Sequence, residues 1–208
     1  MPSRWPCSSH DEMNTEQKDT ISRYRNEPYR GLSIDLVPID ESMLADIVRL
    51  RNQENSKYYL NQRGDLCIEQ QAEWYDRYVG RDNDIYWCIR NKSGEIVGTV
   101  RLYDITDDRC EHGSFIVDEK YAMGAPYALE AMILSLDFAF KELKLRLVDC
   151  NDRQDNANMN SISRRLGFVF QEKHEINGVL YNHYILSEEG CKTDKYRPLL
   201  EKYVSGAD

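Results

Sequence analysis

From Tyr127 onward the apolar residues Leu129, Met132, Ile133, Leu136 and Phe140 step by 3, 1, 3 and 4, which lines them along one face of a helix over residues 127–143. Strand-textured sequence surrounds this helix, so its apolar face has a sheet to cover. Ahead of it, residues 85–90 and 95–105 flank the turn-rich Asn91-Lys92-Ser93-Gly94 and read as a hairpin, and residues 111–117 form a third strand. Behind it come a strand at 145–150, a helix at 157–166 capped by Asn156 and stopped by Gly167, and strands at 168–176 and 179–186 joined by Asn177-Gly178. Upstream, residues 33–39 alternate as a strand, and Asp40 or Ser42 caps a helix carrying Leu44, Ile47 and Val48 that ends near Asn52. Ile68, Ala72, Tyr75 and Val79 mark a second helix stopped by Gly80. The order strand, two helices, three strands, helix, strand, helix, two strands predicts an α/β domain with a mixed, mostly antiparallel sheet and flanking helices.

At 208 residues the chain is expected to hold one domain, over residues 31–188, with extensions on either side. Residues 1–30 have no sustained apolar period and predict a mobile or loosely docked extension; residues 189–208 predict a tail with a short docking helix near Tyr196 and Tyr203. The excess of 36 acids over 27 bases, with no Lys/Arg cluster, argues against nucleic acid as a partner. The longest apolar stretch, residues 131–140, is broken by Ser135 and Asp137 and is too short to span a membrane, and residues 1–26 lack the apolar core of a signal peptide. Six cysteines, at 7, 67, 88, 110, 150 and 191, form no CxxC pair, and the four histidines are dispersed. Free thiols in the cytoplasm and no metal site are the expectation.

Two stretches point to chemistry. The strand ending near Asp118 leads through Met123-Gly124-Ala125-Pro126-Tyr127-Ala128 into the long helix. Small residues there let a ligand approach the backbone, and the unpaired first amides of the helix attract an anion such as a pyrophosphate. Pro126 suits a first helical turn, where no donor is needed. The second stretch runs from Asn156 to the Gly167-Phe168 pair, eleven and twelve residues later. Together these resemble the GNAT superfamily of acetyl-CoA-dependent N-acetyltransferases. In its branch that acts on protein N-termini, polyamines and amino sugars, the helix commonly opens Gly-Lys-Gly-Tyr-Ala-Thr-Glu-Ala-Leu, against which Gly124, Tyr127, Ala128, Glu130 and Ala131 match. The resemblance covers residues 32–187.

The resemblance implies a splayed sheet in which the strands at 111–117 and 145–150 part like a V around the pantetheine arm of acetyl-CoA. Backbone groups of Phe115, Ile116 and Val117 would bond that arm, the segment from Met123 and Gly124 through Ala125, Pro126, Tyr127 and Ala128 would hold the pyrophosphate, and Asn156 would contact the arm or cap its own helix. Met123 and Pro126 depart from the family's pattern, with Lys120 as a compensating charge, and Ser163 stands where a Tyr often protonates the departing thiolate. Glu111 resembles the family's acid that takes the proton of the amine; alternation puts His112, the second choice, on the opposite face. For the acceptor, Arg51 and Asn52 with Trp74 and Tyr75 resemble the groove of members that act on nucleotide-linked amino sugars, although Trp74 also fits a core contact. A polyamine, a peptide N-terminus and a catalytically inactive acyl-CoA-binding module of the same fold are the alternatives. The expected partner is thus a small-molecule amine or a peptide N-terminus, with a homodimer left open beside the monomer.

Overall fold

A computed structural model describes residues 12–121 and 125–206. Its elements are, in chain order, α1 (Thr15–Tyr24), β1 (Tyr29–Arg30), β2 (Ile34–Pro38), α2 (Leu44–Arg51), α3 (Glu54–Tyr59), α4 (Ile68–Val79), β3 (Ile85–Asn91), β4 (Ile96–Tyr103), β5 (Arg109–Val117), α5 (Tyr127–Asp137), β6 (Leu147–Arg153), α6 (Ala157–Leu166), β7 (Val169–Ile176), β8 (Val179–Ser187) and α7 (Arg197–Ser205). The strands form one sheet in the order β1-β2-β3-β4-β5-β6-β8-β7. Every neighbouring pair is antiparallel except β5 and β6, whose parallel pairing follows from the α5 crossover between them. The β7–β8 hairpin turns at Asn177 and Gly178, both at positive φ (51° and 79°), as a tight two-residue turn requires.

The strands alternate sides, and each face carries its own core. On one face α5 is buried over its whole width, all of residues 131–140, and continues as a single π turn at Phe138–Glu142. The one-sided stripe expected from its spacing understates this, because both flanking segments of the chain cover its outer side. The expected mobile extension is corrected here for residues 12–30. Met13, Gln17 and Ile21 repeat at helical spacing and are buried, and Tyr24 meets Phe138 edge-on at 5.1 Å. The sequence pattern hid this helix because its middle anchor is polar: Gln17 Nε2 donates to the carbonyls of Asp107 and Leu143, both at 3.0 Å. At the other end, Arg197 Nη2 donates to Asp137 Oδ1 at 2.6 Å and fixes the start of α7.

The opposite face carries α2 and α4 over a smaller core of Ile39, Leu44, Ile47, Tyr78, Tyr86 and Cys88. Between these helices lies α3, which has no apolar stripe for a sequence reading to find. It is held from outside itself: the Arg153 guanidinium sits 3.8 Å from the centre of the Tyr58 ring and donates to the Tyr58 carbonyl at 2.6 Å.

Candidate active site

β5 and β6 pair only from Arg109↔Leu147 to His112↔Cys150. Beyond that point both strands continue without pairing to one another, and the sheet splits. The cause is visible in β5. Its register against β4 slips by one residue between Thr99↔Ile116 and Arg101↔Gly113, with Ser114 at φ 47° in the bulge. Such a bulge bends its strand away from its neighbour. Thr99 Oγ1 donates to the Ser114 carbonyl at 2.8 Å and holds the bent segment in place. The Ile116 carbonyl lies against Gly98 of β4, so alternation leaves the backbone groups of Phe115 and Val117 on the edge abandoned by β6. Of the three residues expected on that edge, Ile116 turns the other way.

The split opens a cleft of about 90 Å³ lined by His112, Gly113, Ser114 and Phe115 from β5, residues 150–153 from β6, Met132 from α5, and Asn156, Met159 and Ser163 from or beside α6. Tyr59, brought in by α3, also lines it and was invisible to the sequence reading. At the head of α5, Pro126 occupies the cap without any side-chain acceptor for the following amides, so the first donors of the helix at Tyr127 and Ala128 remain available to an anion. Met123 and Gly124 lie outside the described residues. Lys120 is not free to compensate, since its Nζ contacts Glu95 Oε1 at 3.1 Å. Glu130, a residue of the family pattern, turns away from the cleft: it is buried and accepts from Leu32 N, Ser33 N and Ser33 Oγ, tying the start of β2 to α5. Asn156 caps its own helix through Oδ1, which accepts from Met159 N at 3.1 Å, while lining the cleft. A narrow slot with a free strand edge and an uncapped helix end fits an extended co-substrate carrying phosphates.

The titratable groups sort by face. Glu111 lies where β5 and β6 are still paired, accepts from Tyr103 Oη at 2.6 Å and from Asn151 Nδ2 at 2.9 Å, and does not line the cleft. Burial, opposed by those two bonds, holds its carboxyl above the usual range. The Tyr103 ring lies over Gly113, whose Cα would place a side chain 2.9 Å from that ring, so the hydroxyl stands between Glu111 and the bulge. His112 faces α5, with Nε2 3.0 Å from Ser135 Oγ, and it does line the cleft. Burial pushes its pKa down to about 4, so the imidazole is neutral at physiological pH. Ser163 is buried in the cleft wall and its hydroxyl donates to Asp152 Oδ2 at 2.6 Å. Asp152 has no signature that a sequence reading could have used.

A second cavity, about 370 Å³, opens on the α2/α4 face between Arg51, Trp74, Arg77, Tyr86 and Arg101, and Ser114 belongs to its lining as well as to the cleft's. Arg51 and Trp74 therefore share a groove as expected from the sequence, and Arg77 and Arg101 join them. Trp74 serves core and groove at once: it stacks on Tyr78 at 5.3 Å and meets Tyr86 edge-on, and Arg101 sits 5.1 Å from its ring centre. Two expected residues are employed elsewhere. Asn52 accepts from Leu66 N and donates to Leu66 O, both at 2.8 Å, and so clamps the loop before α4. Tyr75 packs against the smaller core beside Tyr78 and is not part of the groove lining. Among the described residues no cluster of side chains suited to a metal is formed, and no helix is long and apolar enough to cross a membrane.

Residues 34–169 match the family model of the acetyltransferase (GNAT) domain. No curated protein matches the sequence. Among solved structures, the chain is similar to apo FdhC, a nucleotide-linked sugar GNAT, with a TM-score of 0.71 and 21% identity over 86% of this chain and 99% of the other. It is also similar to the spermidine N-acetyltransferase from Vibrio cholerae in complex with CoA and spermine, with a TM-score of 0.69 and 17% identity over 77% of this chain and 98% of the other. A GCN5-related N-acetyltransferase from Brucella melitensis aligns with a TM-score of 0.66 and 18% identity over 86% and 85% of the two chains. With the split sheet and the uncapped end of α5, the family match identifies the chain as a member of the GNAT family, an acyl-CoA N-acyltransferase that uses acetyl-CoA.

Proposed function

We propose that the acceptor is the primary amine of a nucleotide-linked amino sugar, bound in the groove between α2 and α4. The charge of that groove carries the reading. Its lining holds Arg51, Arg77 and Arg101 against a single carboxylate, Glu73. Arg101 is neutralised by Asp84, to which its Nε donates at 2.8 Å. Arg51 Nε donates only to the neutral Gln62 Oε1 at 3.2 Å, and neither Arg51 nor Arg77 forms an ion pair among the described residues. A cationic polyamine would meet repulsion there, whereas a diphosphate gains charge-assisted hydrogen bonds from guanidinium groups. The exposed part of Trp74 offers the base an aromatic surface.

In this reading the backbone of Phe115 and Val117 pairs with the pantetheine arm, the amides at the head of α5 hold the pyrophosphate, and Asn156 contacts the arm beside its cap. The groove and cleft share Ser114, so an amine leaving the groove arrives at the thioester there. Glu111 draws the amine's proton through Tyr103 Oη or an ordered water, because its own carboxylate stands behind that hydroxyl. The free state of all five described cysteines supports a cytoplasmic setting.

The test is acetyl transfer to amino sugars with and without their nucleotide, beside spermidine and short peptides. Turnover is expected for the nucleotide-linked sugar, and Arg51→Ala is expected to raise its KM on the order of 10-fold or more, the loss of one charge-assisted contact, without changing acetyl-CoA affinity. Strong turnover of spermidine or a peptide, with none for any nucleotide sugar, overturns the assignment.

A further inference from the structure

We propose that Asp152 supplies, through the Ser163 hydroxyl, the proton that neutralises the departing thiolate of CoA. The inference rests on acetyl transfer in the cleft, and not on which amine receives the acetyl group.

A serine alone is a poor acid for this task, because its hydroxyl is far less acidic than the thiol it would protonate. The structure places a carboxyl group directly behind it. Ser163 (1% exposed) and Asp152 (8% exposed) both line the cleft, joined by the 2.6 Å bond from Oγ to Oδ2. Asp152 forms no ion pair among the described residues. The groups that face it are Cys150 on its own strand, Arg164 on α6, Asn182 and Tyr184 on β8, and, across the cleft, Tyr59 of α3 and His112 of β5, the latter neutral at working pH. Arg164, the one cation of this set, spends a hydrogen bond on Tyr184 Oη at 3.2 Å. Burial accordingly holds the Asp152 carboxyl above its ordinary range.

Proton supply requires Asp152 to carry its proton as the C–S bond breaks; burial acts in that direction, and the Ser163 bond and Arg164 act against it. As the C–S bond breaks, negative charge gathers on sulfur in a slot of about 90 Å³, and an ionised carboxylate on the same wall would oppose it. A neutral Asp152 does the reverse. Protonation of Asp152 reverses its bond to Ser163, so that Oδ2–H donates to Oγ and the Ser163 hydroxyl is released toward sulfur. The new C–N bond then forms as the C–S bond breaks; sulfur takes the proton of Ser163 Oγ, and Oγ takes that of Asp152. The products are the acetylated amine, CoA with a free thiol, and the Asp152 carboxylate. The proton lost by the amine passes to Glu111 and solvent, and solvent returns one to Asp152. Asp152 therefore acts through Ser163 as a positioning and proton-supplying residue.

The experiment measures thiol release from acetyl-CoA with a nucleotide-linked amino sugar, spermidine, a short peptide and water alone as acceptors, in the parent and in Asp152→Asn, Ser163→Ala, Ser163→Thr and the Asp152→Asn/Ser163→Ala double variant. Asp152→Asn is isosteric and keeps an acceptor for the Ser163 hydroxyl, so the fold is retained. Either single loss should lower kcat on the order of 10²-fold with every acceptor that reacts, water included, and leave acetyl-CoA affinity by calorimetry within about two-fold. The double variant should fall no further than the singles, Ser163→Thr should keep most of the rate, and the decline of kcat at high pH should be lost in Asp152→Asn. An unchanged kcat in Asp152→Asn overturns the inference, as do additive losses or a high-pH decline that persists in Asp152→Asn and vanishes in Tyr59→Phe. Failure of the amino sugar alone, with the Asp152 effect intact in water or with another amine, overturns the acceptor reading and supports this one. A parent that releases no thiol with any acceptor overturns both.

Discussion

Gly98 offers a direct test of how the cleft is made. It lies on β4 opposite the bent segment of β5, and a Cβ there would fall inside contact with the Ile116 carbonyl oxygen, 3.0 Å from Ile89 Cδ1 and 3.3 Å from the Ile116 carbonyl carbon. The oxygen belongs to the backbone of a paired strand and cannot swing aside as a side chain would. Gly98→Ala should therefore push the outer half of β5, displacing it on the order of 1 Å, a misplacement large enough to cost binding and rate. Overpacking of this kind costs about 1–3 kcal/mol, and the backbone entropy gained by removing a strand glycine offsets about 0.5–1 kcal/mol of it. At roughly 2–4 °C per kcal/mol for a domain of this size, the net loss appears as a fall in Tm of a few degrees. The effect on the co-substrate should be larger in proportion. Misaligning the edge groups of Phe115 and Val117 forfeits two hydrogen bonds worth about 0.5–1.5 kcal/mol each, or roughly 5- to 150-fold in acetyl-CoA Kd. Calorimetry with acetyl-CoA and differential scanning fluorimetry read both quantities. Gly80→Ala is the control, because a Cβ there meets nothing nearer than the Arg77 carbonyl at 3.8 Å. If Gly98→Ala matches the parent in Kd and Tm, contact between Gly98 and Ile116 does not set the shape of the cleft.

Glu111→Gln should reduce kcat on the order of 10²-fold with little change in acetyl-CoA affinity, and flatten the acidic limb of the pH profile. The same variant carries a stability signature. Because burial raises the folded-state pKa of Glu111, its contribution to stability is fully present below the unfolded carboxyl pKa and is lost as pH rises through the folded value. Glu111→Gln should then match or exceed the parent's Tm at pH 7–8, with the difference closing as pH falls toward about 4; a variant less stable at neutral pH than in acid, relative to the parent, contradicts this. Glu130→Ala removes the acceptor of Leu32 N, Ser33 N and Ser33 Oγ and should cost about 1–3 kcal/mol, seen by hydrogen exchange as faster opening of the first strands, with protection equal to the parent's as the opposing result. Ile21, 2% exposed beneath α1, should cost about 2–5 kcal/mol on truncation to Ala; an unaltered Tm would mean that residues 12–30 are loosely attached after all.

The elements that the sequence determined by itself are those whose cause is local. The period of residues 127–143, the Asn91-Lys92-Ser93-Gly94 and Asn177-Gly178 turns, and the Asn156 cap with its Gly167 stop each depend on neighbours within a few positions, and each matches its element in the structure. The pairing of a helix entry with Asn156 to Phe168 belongs to the same class, since both motifs are read along the chain, and it led to the family. α1 and α3 escaped this reading because polar residues anchor them: Gln17 to two distant carbonyls, and the Tyr58 end of α3 to Arg153.

Function needs contacts between residues far apart in the chain, and there only the tertiary structure decides. Arg51 and Asn52 are adjacent in sequence, yet one faces the groove and the other clamps a loop, because a helix end rotates successive side chains onto different sides. Glu111 and His112 are likewise adjacent, and the pleat sends one to Tyr103 and the other to Ser135. The place where the sheet splits is set by a one-residue slip against β4, which leaves no mark on the hydrophobic pattern of β5. Asp152 and Ser163 meet across eleven residues because the β6-to-α6 turn folds the helix back over its strand. Periodicity records which side of an element is buried; the partner it is buried against is a property of the packed chain.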